Sequence, residues 1–368
     1  YLVEHTQLRK NMALKVLSPD LLPSPELVSR FESEALATAP LEHPSIVAPT
    51  DVGRTEDGAL FLVFDYLTGK TLRQVLAAGP LPLPRVLQLA QQLLSALARA
   101  HAAGVLHQAL KPEKIVLQPR EGEGELVKVR DFGLAKIRAE ALGATQWDPS
   151  RSQAPTRHAT AFGAPQYMAP EQTVGGEVDG RADLYSLGVI LYELLTGTPP
   201  FRGEDPAELL KQHVVGKVPA LGERAPGLKV PAALEQLLMQ LLAKSPDERP
   251  PTARAVLQAV DQIATEQGLD PAPALPGGPA GKGDESLASA LAALAAPAPD
   301  AEPASGLGEA KGPRLAAGEP ESPLAAALGV AQSAPRPKLR APSVVDLSIL
   351  KPDAANPALF APASSPSA

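Results

Sequence analysis

The chain has 368 residues, 44% of them apolar and 4% aromatic, with 41 prolines, no cysteine and a formal net charge of −7. The acidic balance argues against nucleic acid or an anionic membrane surface as a partner, and the lack of cysteine excludes disulfides and thiolate metal sites. The longest apolar stretches, Leu184 to Leu195 and Leu287 to Ala296, fall short of the ~20 residues needed to cross a bilayer. Direct membrane insertion is therefore not expected. No signal-peptide pattern opens the sequence at Tyr1, so a cytoplasmic location is the expectation.

Tyr1 to Val3 and Met12 to Leu17 read as strands around a turn at Arg9-Lys10-Asn11. Pro25 and Glu26 suit the first turn of a helix that aligns Leu27, Phe31 and Ala35. Ile46 to Val52 and Leu60 to Tyr66 alternate like paired strands, with Glu56-Asp57-Gly58 as their turn. Beyond Gly69 the spacing turns helical, in Val86, Leu89, Ala90, Leu93, Leu94 and Leu97. Leu126 to Val129 is a further strand. Asp183 is the expected cap of a helix over Leu184 to Leu195, apolar nearly all round and therefore buried, with Gly197 ending it. Val256, Ala259, Val260 and Ile263 form a last amphipathic face. Strands first and helices later predict an α+β chain of two lobes.

From Gly268 onward the sequence is an Ala/Pro/Gly mixture whose only aromatic residue is Phe360. It cannot bury enough apolar surface to offset ~1–2 kcal/mol of backbone entropy per residue, which predicts a disordered tail. Ser286 to Ala296 and Leu324 to Val330 are candidate short helices within it. Arg336, Lys338 and Arg340, followed by Val344, Val345, Leu347 and Ile349, have the make-up of a docking motif.

Three segments carry chemistry. Ala13-Leu14-Lys15 ends a strand, with Glu34 on the helix after it. His107-Gln108-Ala109-Leu110-Lys111-Pro112-Glu113-Lys114 follows the long helix. Asp131-Phe132-Gly133 follows the strand ending at Val129, with Ala169-Pro170-Glu171 later and Arg249 placed to pair with Glu171. Their order and spacing resemble the protein kinase family over Tyr1 to Ile263. Tyr167 to Gln172, Asp183 to Gly188 and Ser245 to Pro250 look most like bacterial serine/threonine kinases. The resemblance implies a bilobal fold: a β-rich N-lobe over 1–67 lacking its first strand and glycine-rich loop, a helical C-lobe over 68–267, and the tail over 268–368.

It also implies roles for residues. Lys15, steadied by Glu34, would hold the α- and β-phosphates of ATP, and magnesium would be held through Asp131 alone. Ala13 above and Val116 below would sandwich the adenine, the backbone of Asp65 and Leu67 would form the hinge, and Phe64 would be a bulky gatekeeper. Lys111 is retained from the catalytic loop. The family's aspartate base falls on Ala109, its second metal ligand on Lys114, its phosphate-reading arginine on Gln108, and an activation-segment threonine on Ala164. His107, Phe132, Asp183 and the Glu171–Arg249 pair match the family's architecture.

A methyl group at 109 neither orients a hydroxyl nor accepts its proton. The expectation is therefore a pseudokinase, a signalling or scaffolding module that docks other proteins such as an active kinase. The alternative is an active or weakly active serine/threonine kinase, in which Thr156 and Thr160 are candidate modification sites. Lys114 either stands in for magnesium, clasps Asp131 and closes the pocket, or reaches to solvent.

Overall fold

The computed structural model describes residues 1–5, 7–16, 37–55, 59–120, 124–133 and 165–269. The helix expected from Pro25, Glu34, the segment of Thr156 and Thr160, Ala164, and all residues from 270 onward lie outside these.

Strands β1 (Leu2–His5), β2 (Lys10–Val16), β3 (Pro49–Arg54) and β4 (Leu60–Asp65) form an antiparallel sheet in the order β1-β2-β4-β3. Along β2, Met12 and Leu14 are buried while Ala13 and Lys15 belong to the opposite face. Ala13 pairs with Phe64 and Lys15 with Leu62. These four side chains therefore share one face of the sheet.

Two expected boundaries move. The first turn falls before Lys10, with Arg9 at φ 50°, because Lys10 and Asn11 already pair with His5 and Glu4. The strand expected from Ile46 begins only at Pro49, a residue without an N–H that suits the first position of a strand. The residues before it pair elsewhere: Val47 N–H donates to Val129 O at 2.9 Å, and Val129 N–H to Ser45 O at 2.8 Å. That short ladder ties the sheet lobe to the segment leading into Asp131.

The second lobe opens with β5 (Lys70–Thr71), which joins β6 (Ile115–Arg120) and β7 (Gly124–Val129) in a small sheet ordered β5-β6-β7. Gly69 precedes it at φ +128°, where a Cβ would lie 2.3 Å from Leu117 O, so only glycine fits this approach. The helices are α1 (Leu72–Leu76), α2 (Leu83–Ala102), α3 (Pro170–Val174), α4 (Gly180–Thr196), α5 (Pro206–Val215), α6 (Leu221–Arg224), α7 (Ala232–Leu241) and α8 (Ala253–Glu266).

Helix α4 is the centre of the lobe, buried on every side from Ala182 to Thr196 and packed against α2, α7 and α8. Its cap corrects the sequence reading. Asp179, not Asp183, is the N-cap, its Oδ1 accepting from Arg181 N–H at 2.8 Å, while Gly197 at φ +78° closes the far end as expected. Asp183 lies inside the first turn and faces inward. The chain thus has an α+β, bilobal fold, with a small sheet lobe and a larger helical lobe. Among the described residues no helix is long and apolar enough to cross a membrane.

Candidate functional site

The loop from His107 to Lys114 is held from behind by Asp183, which is 1% exposed. Its Oδ1 accepts from Gln108 N–H at 2.7 Å. Its Oδ2 accepts from His107 N–H at 2.8 Å and from His101 Nε2 at 2.8 Å. Despite burial, which opposes it, hydrogen bonding from His101 and the neighbouring histidines hold this carboxyl below the usual range. Gln108 has φ 57°, and Asp131, across the cleft, has φ 66°. Non-glycine residues in the left-handed region cost about 1–3 kcal/mol each and persist where surrounding bonds impose them. Gln108 is held at both ends, since its carbonyl accepts from Gln172 Nε2 at 2.8 Å.

His107 is fully buried and reads both halves of the site. Its Nε2–H donates to Arg130 O at 3.0 Å, and its Nδ1 accepts from Ala109 N–H at 3.3 Å. Those partners define a neutral ring, in keeping with a pKa lowered to about 4, first by burial and then by the Lys114 charge. The ring meets Phe132 edge to face at 4.8 Å, so the expected His107–Phe132 contact is made.

Asp131 is the anionic centre of the cleft. Lys15 Nζ lies 3.3 Å from its Oδ1, and Arg130 Nη2 3.8 Å from its Oδ2. Burial opposes its charge, but Lys15, Arg130 and Lys114 hold the carboxyl well below its ordinary value. Lys114 is pinned by its backbone, with its N–H donating to Lys111 O and its carbonyl accepting from Arg130 N–H, both at 2.9 Å. The residue is half-buried overall, and its ammonium pKa is lowered to about 7, first by burial and then by Lys15, Lys111 and Arg130, with Asp131 opposing. The close ion pair at Asp131 is nonetheless made by Lys15 and not by Lys114. Lys111, also half-buried, stands just before the Pro112–Lys114 turn.

An apolar wall lines the other end. Val47, Leu67 and Val116 form one buried cluster with Phe64 against it, and Val116 is 0% exposed. Ala13, across from Phe64, is half-buried. Asp65 ends β4 and its carboxylate binds Lys10 Nζ at 2.6 Å. Among the described residues neither the N–H nor the C=O of Leu67 has a hydrogen-bond partner. A donor and an acceptor thus stand side by side beside an apolar slot. Glu34 and Ala164 lie outside the described residues.

Sequence reasoning missed a second cluster behind the loop. Arg73, on α1, donates Nε to Glu113 Oε1 at 2.9 Å and Nη1 to Glu193 Oε1 at 2.7 Å, and bonds the Tyr167 hydroxyl. Tyr167 in turn donates to Glu193 Oε2 at 2.5 Å. The expected Glu171–Arg249 pair is present, bidentate at 2.7 and 2.8 Å. The same guanidinium donates to the carbonyls of Ala243, Arg181 and Lys244 and lies 4.9 Å over the Tyr185 ring.

Comparison with known proteins agrees with this geometry. Residues 1–260 match the family described as protein kinase domain. The chain is 42% identical over 259 residues to serine/threonine-protein kinase pkn3 of Myxococcus xanthus, covering 69% of this chain and 46% of that protein. It is 36% identical over 275 residues to serine/threonine-protein kinase PknB of Mycobacterium leprae, covering 74% and 41%. The chain thus spans less than half the length of these curated relatives. The crystal structure of the Mycobacterium tuberculosis PknI kinase domain is similar with a TM-score of 0.53 and 30% identity, covering 72% of this chain and 90% of that one. The assembled cleft and the match over 260 residues make this chain a member of the protein kinase domain family, with bacterial serine/threonine kinases among its relatives.

Proposed function

We propose that this chain is a catalytically silent kinase-fold module that binds ATP and works by docking other proteins in signalling. The carrying observation is Ala109: the loop around it is held by Asp183 and His107, yet the residue at its reactive position is a methyl group. General-base catalysis contributes about 10²–10⁴-fold, and the methyl group of Ala109 cannot supply it.

The nucleotide fits the cleft. The unpaired N–H and C=O of Leu67 suit an adenine edge, Val47, Leu67 and Val116 suit its faces, and Lys15 suits its phosphates. ATP would supply a recognition handle and, where transfer occurs, the phosphoryl group. Magnesium fits poorly. Among the described residues no three His, Cys, Asp or Glu side chains gather for a metal, and the one carboxylate at the site already faces Lys15 and Arg130. Magnesium favours oxygen ligands in a tight octahedron.

A second reading, an active or weak serine/threonine kinase, is favoured by the assembled Lys15–Asp131 pair at 3.3 Å and by the retained Lys111. Transfer from γ-labelled ATP to a generic protein substrate and to the chain itself separates the two. The silent module gives no label above Lys15→Ala. Label that Lys15→Ala abolishes would overturn silence and install the second reading.

A further inference from the structure

Among the described residues the cleft holds more positive charge than Asp131 alone balances. Lys15 and Arg130 already flank Asp131 at 3.3 and 3.8 Å. The backbone of Lys114 is held beside Arg130, the chain neighbour of Asp131, by two hydrogen bonds, one to Lys111 and one from Arg130, each 2.9 Å, and its ammonium interacts with the Asp131 charge. Asp131 attracts its ammonium, but among the described residues that ammonium makes no hydrogen bond and no close ion pair, and Lys15, Lys111 and Arg130 all repel it. Among the described residues a cation near three others therefore shares one carboxylate that Lys15 and Arg130 already flank, and it is short of an anion. A divalent ion would add to that repulsion, whereas a phosphate chain would relieve it.

We infer that the cleft takes a nucleoside di- or triphosphate as the metal-free polyanion, with the Lys114 ammonium occupying the place of a divalent cation between Asp131 and the phosphates. This rests on the nucleotide-binding reading above and deepens it. The short turn that fixes Lys114 sets where the charge sits, so the position behaves as a built-in counter-ion. Added magnesium then competes with the protein for the phosphates, and free nucleotide is the preferred ligand.

The test is calorimetric titration of the full chain with adenosine, ADP and ATP, each in excess EDTA and in excess magnesium chloride, for the wild type, Lys114→Met and Lys114→Asn. Melting curves check that both variants are folded. Expected are ATP binding in EDTA at least as tight as in magnesium, a loss of about tenfold in EDTA for Lys114→Met with adenosine affinity unchanged, and a gain on adding magnesium only in Lys114→Asn. Adenosine binding accompanied by a strict magnesium requirement for ATP overturns the inference and leaves the nucleotide reading intact. ATP binding in EDTA that Lys114→Met leaves unchanged also overturns it. No binding of adenosine or ATP in either buffer overturns both.

Discussion

Asp183→Ala is the sharpest test of how the loop is held. The substitution removes acceptors at 2.7 and 2.8 Å from two backbone N–H groups, Gln108 and His107, and one at 2.8 Å from His101. The site is closed to water, with Asp183 1% exposed and His107 fully buried. Each orphaned buried donor costs about 1–3 kcal/mol. His101, at the end of α2, is part-exposed and can turn to solvent, so the two backbone groups dominate and the loss is about 2–6 kcal/mol. The φ of 57° at Gln108 adds nothing further, because the freed loop relaxes out of it. Asp183→Asn keeps one acceptor and is expected to lose about half as much. Urea unfolding followed by far-ultraviolet circular dichroism reads the loss, and nucleotide titration reads the loop. A loss below about 1 kcal/mol for Asp183→Ala at unchanged m-value would refute the claim that this carboxylate holds the loop.

Three further outcomes are expected. Arg249→Met leaves Glu171 buried without its cation and three carbonyls without a donor, so it should lower stability by about 3–5 kcal/mol in the same urea assay. Gly69→Ala places a Cβ 2.3 Å from Leu117 O at φ +128°, and a loss of about 2–4 kcal/mol, read as a lower melting temperature, follows. Burial first, then neighbouring cations, lowers His43 and His107 to about 4 and His213 to about 3. The unfolded chain protonates these residues near 6.5, so it binds more protons below that pH. Stability is complete above about pH 6.5 and falls as pH drops towards 4; His107 alone contributes about 2 kcal/mol of the loss at about pH 5. A urea midpoint that does not move between neutral pH and about pH 5 would contradict this.

The sequence made the front of the site readable because its chemical residues stand together in short runs: Ala13 to Lys15, His107 to Lys114, Asp131 to Gly133. Helix α4 was readable because burial on all sides removes the polar stripe. Asp183 was misread as a cap because an acid in the first turn has the same composition signature as one at the N-cap. The start of β3 was misplaced because Ile46 and Val47 alternate correctly but pair with Val129, a partner far along the chain. Lys114 was read as a candidate partner for Asp131, yet Lys15 makes the pair; spacing orders residues along the chain but does not rank two cations competing for one carboxylate. Arg73 gave no signal at all, since its partners lie 40, 94 and 120 residues away.

Arg73 also explains how such a loop can change its chemistry and keep its shape. One guanidinium fastens Glu113, Tyr167 and Glu193 from the rear, and none of these bonds involves positions 109 or 114. The loop therefore has a structural back and a chemical front that vary independently. The side chains at 109 and 114 take no part in these bonds, while Glu113, next to Lys114, is bound to α1. The side chains at the front can thus differ without disturbing the bonds that fold the loop from behind.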